Sequence, residues 1–277
     1  MIIKKVMAPV RIDFGGGTTD IEPFASKYGG AVLNAAINKY IIGKLVAGSK
    51  EVALEYKGDI PTSSGLGTSG AMNLVWLALV SKTKNKKELA EMSYKLEQAI
   101  GTVGGRQDQY ASAFGGINFM KFEDGDIYFK RLNLKKKTIK ELEKKLILIY
   151  TGKSHFSTKL NHLIIKNFAK NKKVLMKIRD IAIEMKNALI KSDLEKFSEL
   201  MNLETEQRKL LHKSIFPREV ESFVKKGLRN GAESAKICGA GGGGCVLFFC
   251  KDREKFKRKF KNQVIEFKFD FQGLRWL

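Results

Sequence analysis

Pro61-Thr-Ser-Ser-Gly-Leu-Gly-Thr-Ser-Gly-Ala71 runs without a break into an apolar stripe at Ala71, Leu74, Val75, Ala78 and Leu79. That i, i+3, i+4, i+7, i+8 spacing is one face of a helix. A glycine- and hydroxyl-rich loop that opens a helix turns backbone N–H groups toward an anion, and its glycines let the ligand come close. No Gly-Lys-Ser/Thr follows, so the loop is not a Walker A motif. An ordinary helix start capped by Thr68 or Ser69 is the plainer account. Two glycines around Leu66, beside a pair of hydroxyls, favour the phosphate cradle.

Two further glycine-rich segments flank this one. Upstream, Ala8-Pro-Val-Arg-Ile-Asp-Phe-Gly-Gly-Gly-Thr-Thr-Asp20 carries Arg11 and Asp13 on a strand that ends in three glycines. Glycines there allow close backbone approach, and the carboxylate of Asp20 beside the Thr18 and Thr19 hydroxyls suits vicinal sugar hydroxyls. Taken alone, such a cluster usually makes a turn. Downstream, Lys236-Ile-Cys-Gly-Ala-Gly-Gly-Gly-Gly-Cys245 lies between two apolar, strand-like flanks. A glycine run there is conformationally costly and makes sense where backbone must touch another group. Between them, Gly104-Gly-Arg-Gln-Asp-Gln-Tyr-Ala-Ser-Ala-Phe-Gly-Gly116 places Asp108 near the start of a short helix, which the helix dipole alone would favour.

Outward from these motifs, apolar alternation predicts strands over 2–14, 30–47 and 51–57, and helices over 86–100 and 106–114. Strands over 117–122 and 126–132 flank Asp124-Gly125, a hairpin signal. The lysine-rich segment 135–145 then leads into the apolar Leu146–Tyr150, the expected domain boundary. Residues 155–230 read as several amphipathic helices. The expected ending is strand 234–238, glycine run, strand 245–250, helix 252–262 and strand 263–271. Strands and helices in two mixed blocks make an α+β chain, with expected domains 1–145 and 146–277.

Composition excludes other classes. Hydrophobic residues make up 43% of 277, enough for a sizeable core. No apolar run reaches the length of a membrane span, and the N-terminus lacks a signal peptide's pattern, so a cytoplasmic protein with no membrane partner is expected. Cys238, Cys245 and Cys250 have no metal-ligand spacing and read as small buried residues in a reducing compartment. The net charge of +22 is uneven: residues 1–130 carry 16 Lys and Arg against 13 Asp and Glu, the remainder 35 against 16. Lysine outnumbers arginine and few aromatics interleave, so a solvated surface is the reading, and nucleic acid is not the expected partner.

Together and in this order, the segments RIDFGGGTTD, YGGAVLNAAINKY, DIPTSSGLGTSG, GGRQDQYASAFGG and YTG resemble the GHMP superfamily of kinases, and within it the kinases of heptose 7-phosphate and fucose. The resemblance implies an N-terminal ribosomal protein S5 domain 2-like domain, the ATP-binding one, and a C-terminal ferredoxin-like domain. It implies transfer of the γ-phosphoryl group of ATP, with Mg²⁺, to a sugar or sugar phosphate. Asp108 then resembles the family's catalytic aspartate and Arg11 its charge-stabilising partner. Pro61, Ser63, Ser64, Gly65, Leu66, Gly67, Thr68 and Ser69 correspond to the ATP loop. Ser69 and Glu97, eleven residues before Asp108, correspond to the metal pair. Gly17, Thr18, Asp20, Gly239, Ala240 and Gly241 correspond to the acceptor side. On charge alone, Lys153 or Arg106 could meet a distal phosphate, although Lys153 reads first as an exposed lysine. Galactokinases carry Glu-His where Gly17-Thr18 stands here, which speaks against galactose. Gly70 stands where relatives often carry Ser or Ala. The acceptor implied first is the anomeric hydroxyl of a heptose 7-phosphate; the alternatives are an unphosphorylated sugar such as L-fucose and, in another class, a nucleic-acid binder on this fold.

Overall fold

The computed structural model describes residues 1–153 and 157–277. Its elements are β1 (Ile2–Gly15), α1 (Phe24–Tyr28), β2 (Gly30–Ala47), β3 (Val52–Gly58), α2 (Thr68–Val80), α3 (Lys86–Ala99), α4 (Gln107–Phe114), β4 (Ile117–Glu123), β5 (Asp126–Arg131), α5 (Lys136–Lys145), β6 (Leu146–Tyr150), α6 (Ser157–Lys166), α7 (Phe168–Lys191), α8 (Leu194–Leu211), α9 (Arg218–Arg229), β7 (Ala232–Ile237), β8 (Cys245–Cys250), α10 (Arg253–Lys257), β9 (Val264–Ile265) and β10 (Arg275–Trp276). The 155–230 stretch is helical over α6 to α9; its first two residues lie outside the described ones.

Two antiparallel sheets organise the chain. The larger runs β10-β1-β2-β4-β5, with β3 also on β2; the smaller runs β7-β8-β6-β9. Asp124 and Gly125 both take positive φ, 53° and 83°, the twist a two-residue hairpin turn requires. The chain changes sheet at Lys145-Leu146, where α5 hands over to β6. One apolar core spans both sheets: Phe14 of β1 meets Phe197 of α8 edge to face at 5.4 Å, and Phe197 meets Phe249 of β8 at 6.4 Å. The three cysteines are buried free thiols.

The structure corrects two sequence readings and gives a third segment its shape. Segment 135–145, read from the sequence only as lysine-rich, holds the helix α5, which presses Thr138 and Leu142 inward; with only Ile139 and Leu142 apolar among dense lysines, there is no stripe for a sequence reading to catch. Helix 252–262 shrinks to α10 and a 3₁₀ turn at Lys261–Gln263, because only Phe256 and Phe260 are drawn inward. The expected strand 263–271 pairs with β6 only over Val264 and Ile265. Beyond it the chain crosses back to the larger sheet, where Phe269 bridges Ile37 and Trp276 pairs with Val6. Phe267, Phe269 and Leu274 are buried there, a better berth than an exposed sheet edge.

Candidate active site

The three glycine-rich segments converge on one cleft of about 290 Å³ between the two sheets. Arg11 reaches it from β1, where a bulge interrupts the ladder between Pro9 and Val10. Asp108 reaches it from the first turn of α4, and the two side chains are locked together. Arg11 Nε donates to Asp108 Oδ1 at 2.8 Å, and Nη2 stands 2.7 Å from the same oxygen. Arg11 Nη1 donates to the carbonyl of Gly65 at 2.6 Å. Burial alone would lower the Arg11 pKa, but the nearby Asp108 and Asp13 carboxylates outweigh it and raise it. The Asp108 side chain keeps 28% exposure against 4% for Arg11, so the carboxylate is the member open to a substrate.

Above this pair lies the start of α2. Its N-cap is Gly67 in the left-handed conformation, φ 72°, and no side chain caps it. Thr68 and Ser69 therefore do not serve as the caps the sequence allowed. The first N–H groups of a helix lack intrahelical acceptors, so this terminus is left for an anion. A side chain at Gly67 is disfavoured twice, by its positive φ and because a Cβ there would crowd Asp108 Cγ at 3.0 Å. The downstream glycine run backs onto the same loop. Gly239 approaches so closely that a Cβ would fall 2.9 Å from the Gly65 carbonyl, and Cys245 N donates to Ser64 O at 2.8 Å. The group that its backbone touches is thus the phosphate-type loop itself.

Glu97 of α3 faces the α2 terminus. Its Oε1 accepts from Ser69 Oγ at 3.2 Å and Asn73 Nδ2 at 3.1 Å, and its Oε2 from Gln109 Nε2 at 2.6 Å. Burial, then the charge of Asp108, pushes its pKa up to about 7 against the pull of those bonds. Carboxylate and hydroxyl oxygens within hydrogen-bond distance, in a place that disfavours bare negative charge, fit a hard divalent cation. Among the described residues no cluster of three or more His, Cys, Asp or Glu could hold a metal. Water and substrate oxygens would complete the shell.

On the opposite wall Asp20 is 1% exposed. Its Oδ2 accepts from Gln107 N at 3.2 Å, and its Oδ1 has no partner among the described residues. Gly105 covers it so tightly that a Cβ would fall 2.0 Å away. Burial and the neighbouring carboxylates Asp108 and Asp13 raise its pKa to about 6, against the bond from Gln107.

Beneath the Gly15–Gly17 run lies a buried charge cluster that sequence reading missed. Lys236 Nζ stands 3.3 Å from both Asp13 Oδ2 and Glu204 Oε2, and Arg208 Nε donates to Glu204 Oε1 at 2.8 Å. All four side chains are at most 1% exposed. Burial would raise the Asp13 pKa, but Lys236, Arg208 and Arg11 hold it below the usual carboxylate range. Glu204 and Arg208 sit four apart on α8, a spacing that any exposed helix pair also shows, so only the fold separates the two cases.

The cleft is lined by Arg11, Gly17, Thr18, Asp20, Ser63, Ser64, Gly65, Gly67, Thr68, Ser69, Glu97, Asp108, Gly239 and Ala240 of the expected set. Three expected residues stand off it. Leu66 is fully buried in the apolar core, Pro61 is exposed before the loop, and Gly241 packs against Ile215. Lys153 is drawn to Glu219 at 3.2 Å, and Arg106 pairs with Glu91 and stacks on Tyr94 at 3.8 Å; neither lines the cleft.

Known proteins match along the whole chain. Residues 31–116 match the GHMP kinases N terminal domain and residues 185–266 the GHMP kinases C terminal domain. A D-glycero-alpha-D-manno-heptose 7-phosphate kinase of Campylobacter jejuni is 27% identical, over 98% of this chain and 98% of its own. A bifunctional fucokinase/GDP-fucose pyrophosphorylase of Arabidopsis thaliana is 23% identical over 98% of this chain and 32% of its own. Among solved structures, a D-glycero-D-manno-heptose 1-phosphate kinase from Bacteroides thetaiotaomicron superposes with a TM-score of 0.82 at 22% identity, covering 100% of this chain and 99% of that one. The Methanococcus jannaschii mevalonate kinase gives 0.70 at 17% identity, covering 99% and 98%. These structures share the fold. Among the described residues no helix is long and apolar enough to cross a membrane.

Proposed function

The chain belongs to the GHMP kinases, ATP-dependent phosphotransferases, and from that premise we propose that it phosphorylates the anomeric hydroxyl of a manno-configured heptose 7-phosphate. The observation that carries the reading is the Arg11–Asp108 pair, set in one cleft between an uncapped helix terminus and the buried carboxylate of Asp20. The division into 1–145 and 146–277 is proposed with it, at the change of sheet, the end of the second unit docking on the first sheet.

In this reading the triphosphate lies along Ser63–Ser69, its charge met by backbone N–H groups and the α2 dipole. The acceptor hydroxyl rests on Asp108, which takes its proton or holds it as the phosphoryl group departs. Arg11 fixes that carboxylate and stands where charge develops on the transferring group. Phosphoryl transfer is mostly positioning and electrostatics, which a rigid Arg11–Asp108 pair supplies. Ser69 and Glu97 would hold Mg²⁺, which when bound neutralises phosphate charge and orients the triphosphate.

A second reading, an unphosphorylated sugar such as L-fucose, is favoured by one observation. The described cations lining the cleft, Arg11 and Arg208, are both already paired with carboxylates. Steady-state kinetics with heptose 7-phosphate, the free heptose and L-fucose separates the two. A higher kcat/KM for the phosphorylated heptose, shrinking with added salt, supports the first; equal efficiency, or a preference for fucose, selects the second.

A further inference from the structure

Arg208 is a cleft cation that the reaction scheme leaves unused. Its guanidinium is 1% exposed and committed on two sides. Nε donates to Glu204 Oε1 at 2.8 Å, while Nη2 donates to the Gly17 carbonyl at 2.7 Å and stands 3.7 Å from Asp13 Oδ2. The third nitrogen, Nη1, has no partner among the described residues, yet Arg208 lines the cleft beside Gly17, Thr18 and Asp20. Across from it Asp20 Oδ1 is equally buried and equally unpartnered. Buried polar atoms are costly to leave unmatched, and beside a cleft a bound ligand can supply the match.

We propose that Arg208 is an acceptor-binding residue, its Nη1 donating to a ring hydroxyl oxygen of the sugar while Asp20 Oδ1 accepts the hydrogen of a neighbouring hydroxyl. The proposal rests on the sugar-kinase reading and deepens it. A donor with two hydrogens beside a bare acceptor is the complement of a vicinal diol. The charge count identifies the partner group as neutral: Asp13 and Glu204 balance Arg208 and Lys236, so the cluster has no surplus positive charge to attract a phosphate. Rigidity makes the contact selective. Gly17 leaves no slack, because a Cβ there would stand 2.6 Å from Asp13 Oδ2 and 2.7 Å from Arg208 Nη2. Arg208 belongs to α8 and Lys236 to β7, while Asp13 and Asp20 come from the first thirty residues, so the two halves of the chain jointly form this subsite.

The test crosses substrate with variant. Wild type, Arg208→Lys and Arg208→Met are assayed with the sugar that is turned over, heptose 7-phosphate or L-fucose, and with its monodeoxy analogues. Wild type should lose about 10²-fold in kcat/KM with one analogue, the worth of one hydrogen bond to a buried charged group. The variants should show a similar loss with the complete sugar, no further loss with that analogue, and an unchanged KM for ATP. Variant losses equal on every analogue, or wild-type efficiency in Arg208→Lys, overturn the proposal while leaving the kinase reading intact. No turnover of any sugar by wild type overturns both. Where thermal melts show the variants unfolded, guanidinium NMR of the wild-type protein decides. Arg11 and Arg208 are its buried arginines among the described residues, and Arg11→Lys assigns the second. Adding the sugar must shift the Arg208 signal; an unmoved signal at saturating sugar contradicts the proposal.

Discussion

Asp20→Asn should make the protein more stable and a poorer sugar binder at the same time. The carboxylate is buried, one oxygen is unpartnered, and its pKa rises to about 6 from the ordinary 3.8 through burial first and then Asp108 and Asp13. At ~1.4 kcal/mol per tenfold, ionising it in the folded chain costs about 3 kcal/mol. The folded state holds its proton more tightly than the unfolded state, so wild type loses this stability as pH rises from about 4 to about 6. Above that window the deficit is complete, and below it there is none. Asparagine keeps an oxygen for Gln107 N and turns its amide toward the cleft without a charge. The gain over wild type is therefore near zero at pH 4 and about 2–3 kcal/mol at pH 8, or about 4–6 °C in Tm at ~2 °C per kcal/mol. Losing a charged acceptor for a sugar hydroxyl removes about 1.5–3 kcal/mol of binding, a KM about 10–100-fold higher. Urea and thermal melts of both proteins at pH 4.5 and 8, with sugar kinetics at pH 8, measure all of this. A variant no more stable than wild type at pH 8, or a gain of the same size at both pH values, refutes the reasoning.

Three other perturbations probe the phosphoryl-transfer pair, the metal pair and the C-terminal tie. Asp108→Asn and Arg11→Ala should each lower kcat about 10²–10⁴-fold while ATP still binds; wild-type turnover in Asp108→Asn contradicts the mechanism. Glu97→Gln and Ser69→Ala should raise the Mg²⁺ concentration needed for half-maximal rate more than they raise the sugar KM, and an unchanged Mg²⁺ dependence in both places the metal elsewhere. Asp270→Ala should cost about 2–4 kcal/mol in urea melts, because Asp270 accepts from Tyr40 Oη at 2.9 Å, Arg275 Nη2 at 2.9 Å and Gly273 N at 2.7 Å and so ties the C-terminus to the larger sheet. Unchanged melting would mean that those bonds contribute nothing net.

Much of this was legible in the residues, for identifiable reasons. The helix after Ser69 shows because its apolar face follows period 3.6, and the Asp124-Gly125 hairpin because both turn positions demand positive φ. The three glycine runs stand out because their backbone must come close to other groups: Gly239 to the Gly65 carbonyl, Gly17 to the Asp13 carboxylate, Gly67 to the Asp108 carboxylate. Local pattern fails where the cause is distant. Lys236 and Glu204 look like surface charges until β7 and α8 bring them to Asp13. Residues 266–271 alternate like a strand, but what draws them away is apolar surface of the first sheet, more than two hundred positions earlier. The capping hydroxyls of Thr68 and Ser69 mislead because a left-handed Gly67 already ends the loop.

In the proposed reaction one cleft brings ATP and a sugar together on Asp108. The direct measurement is ATP consumption, with Mg²⁺, across a panel of sugars and sugar phosphates, the products read by phosphorus NMR. Consumption should occur only when a sugar acceptor is present, with a new phosphate resonance coupled to the anomeric proton of a manno-configured heptose. ATP consumption equal with and without every sugar, heptose 7-phosphate included, contradicts it.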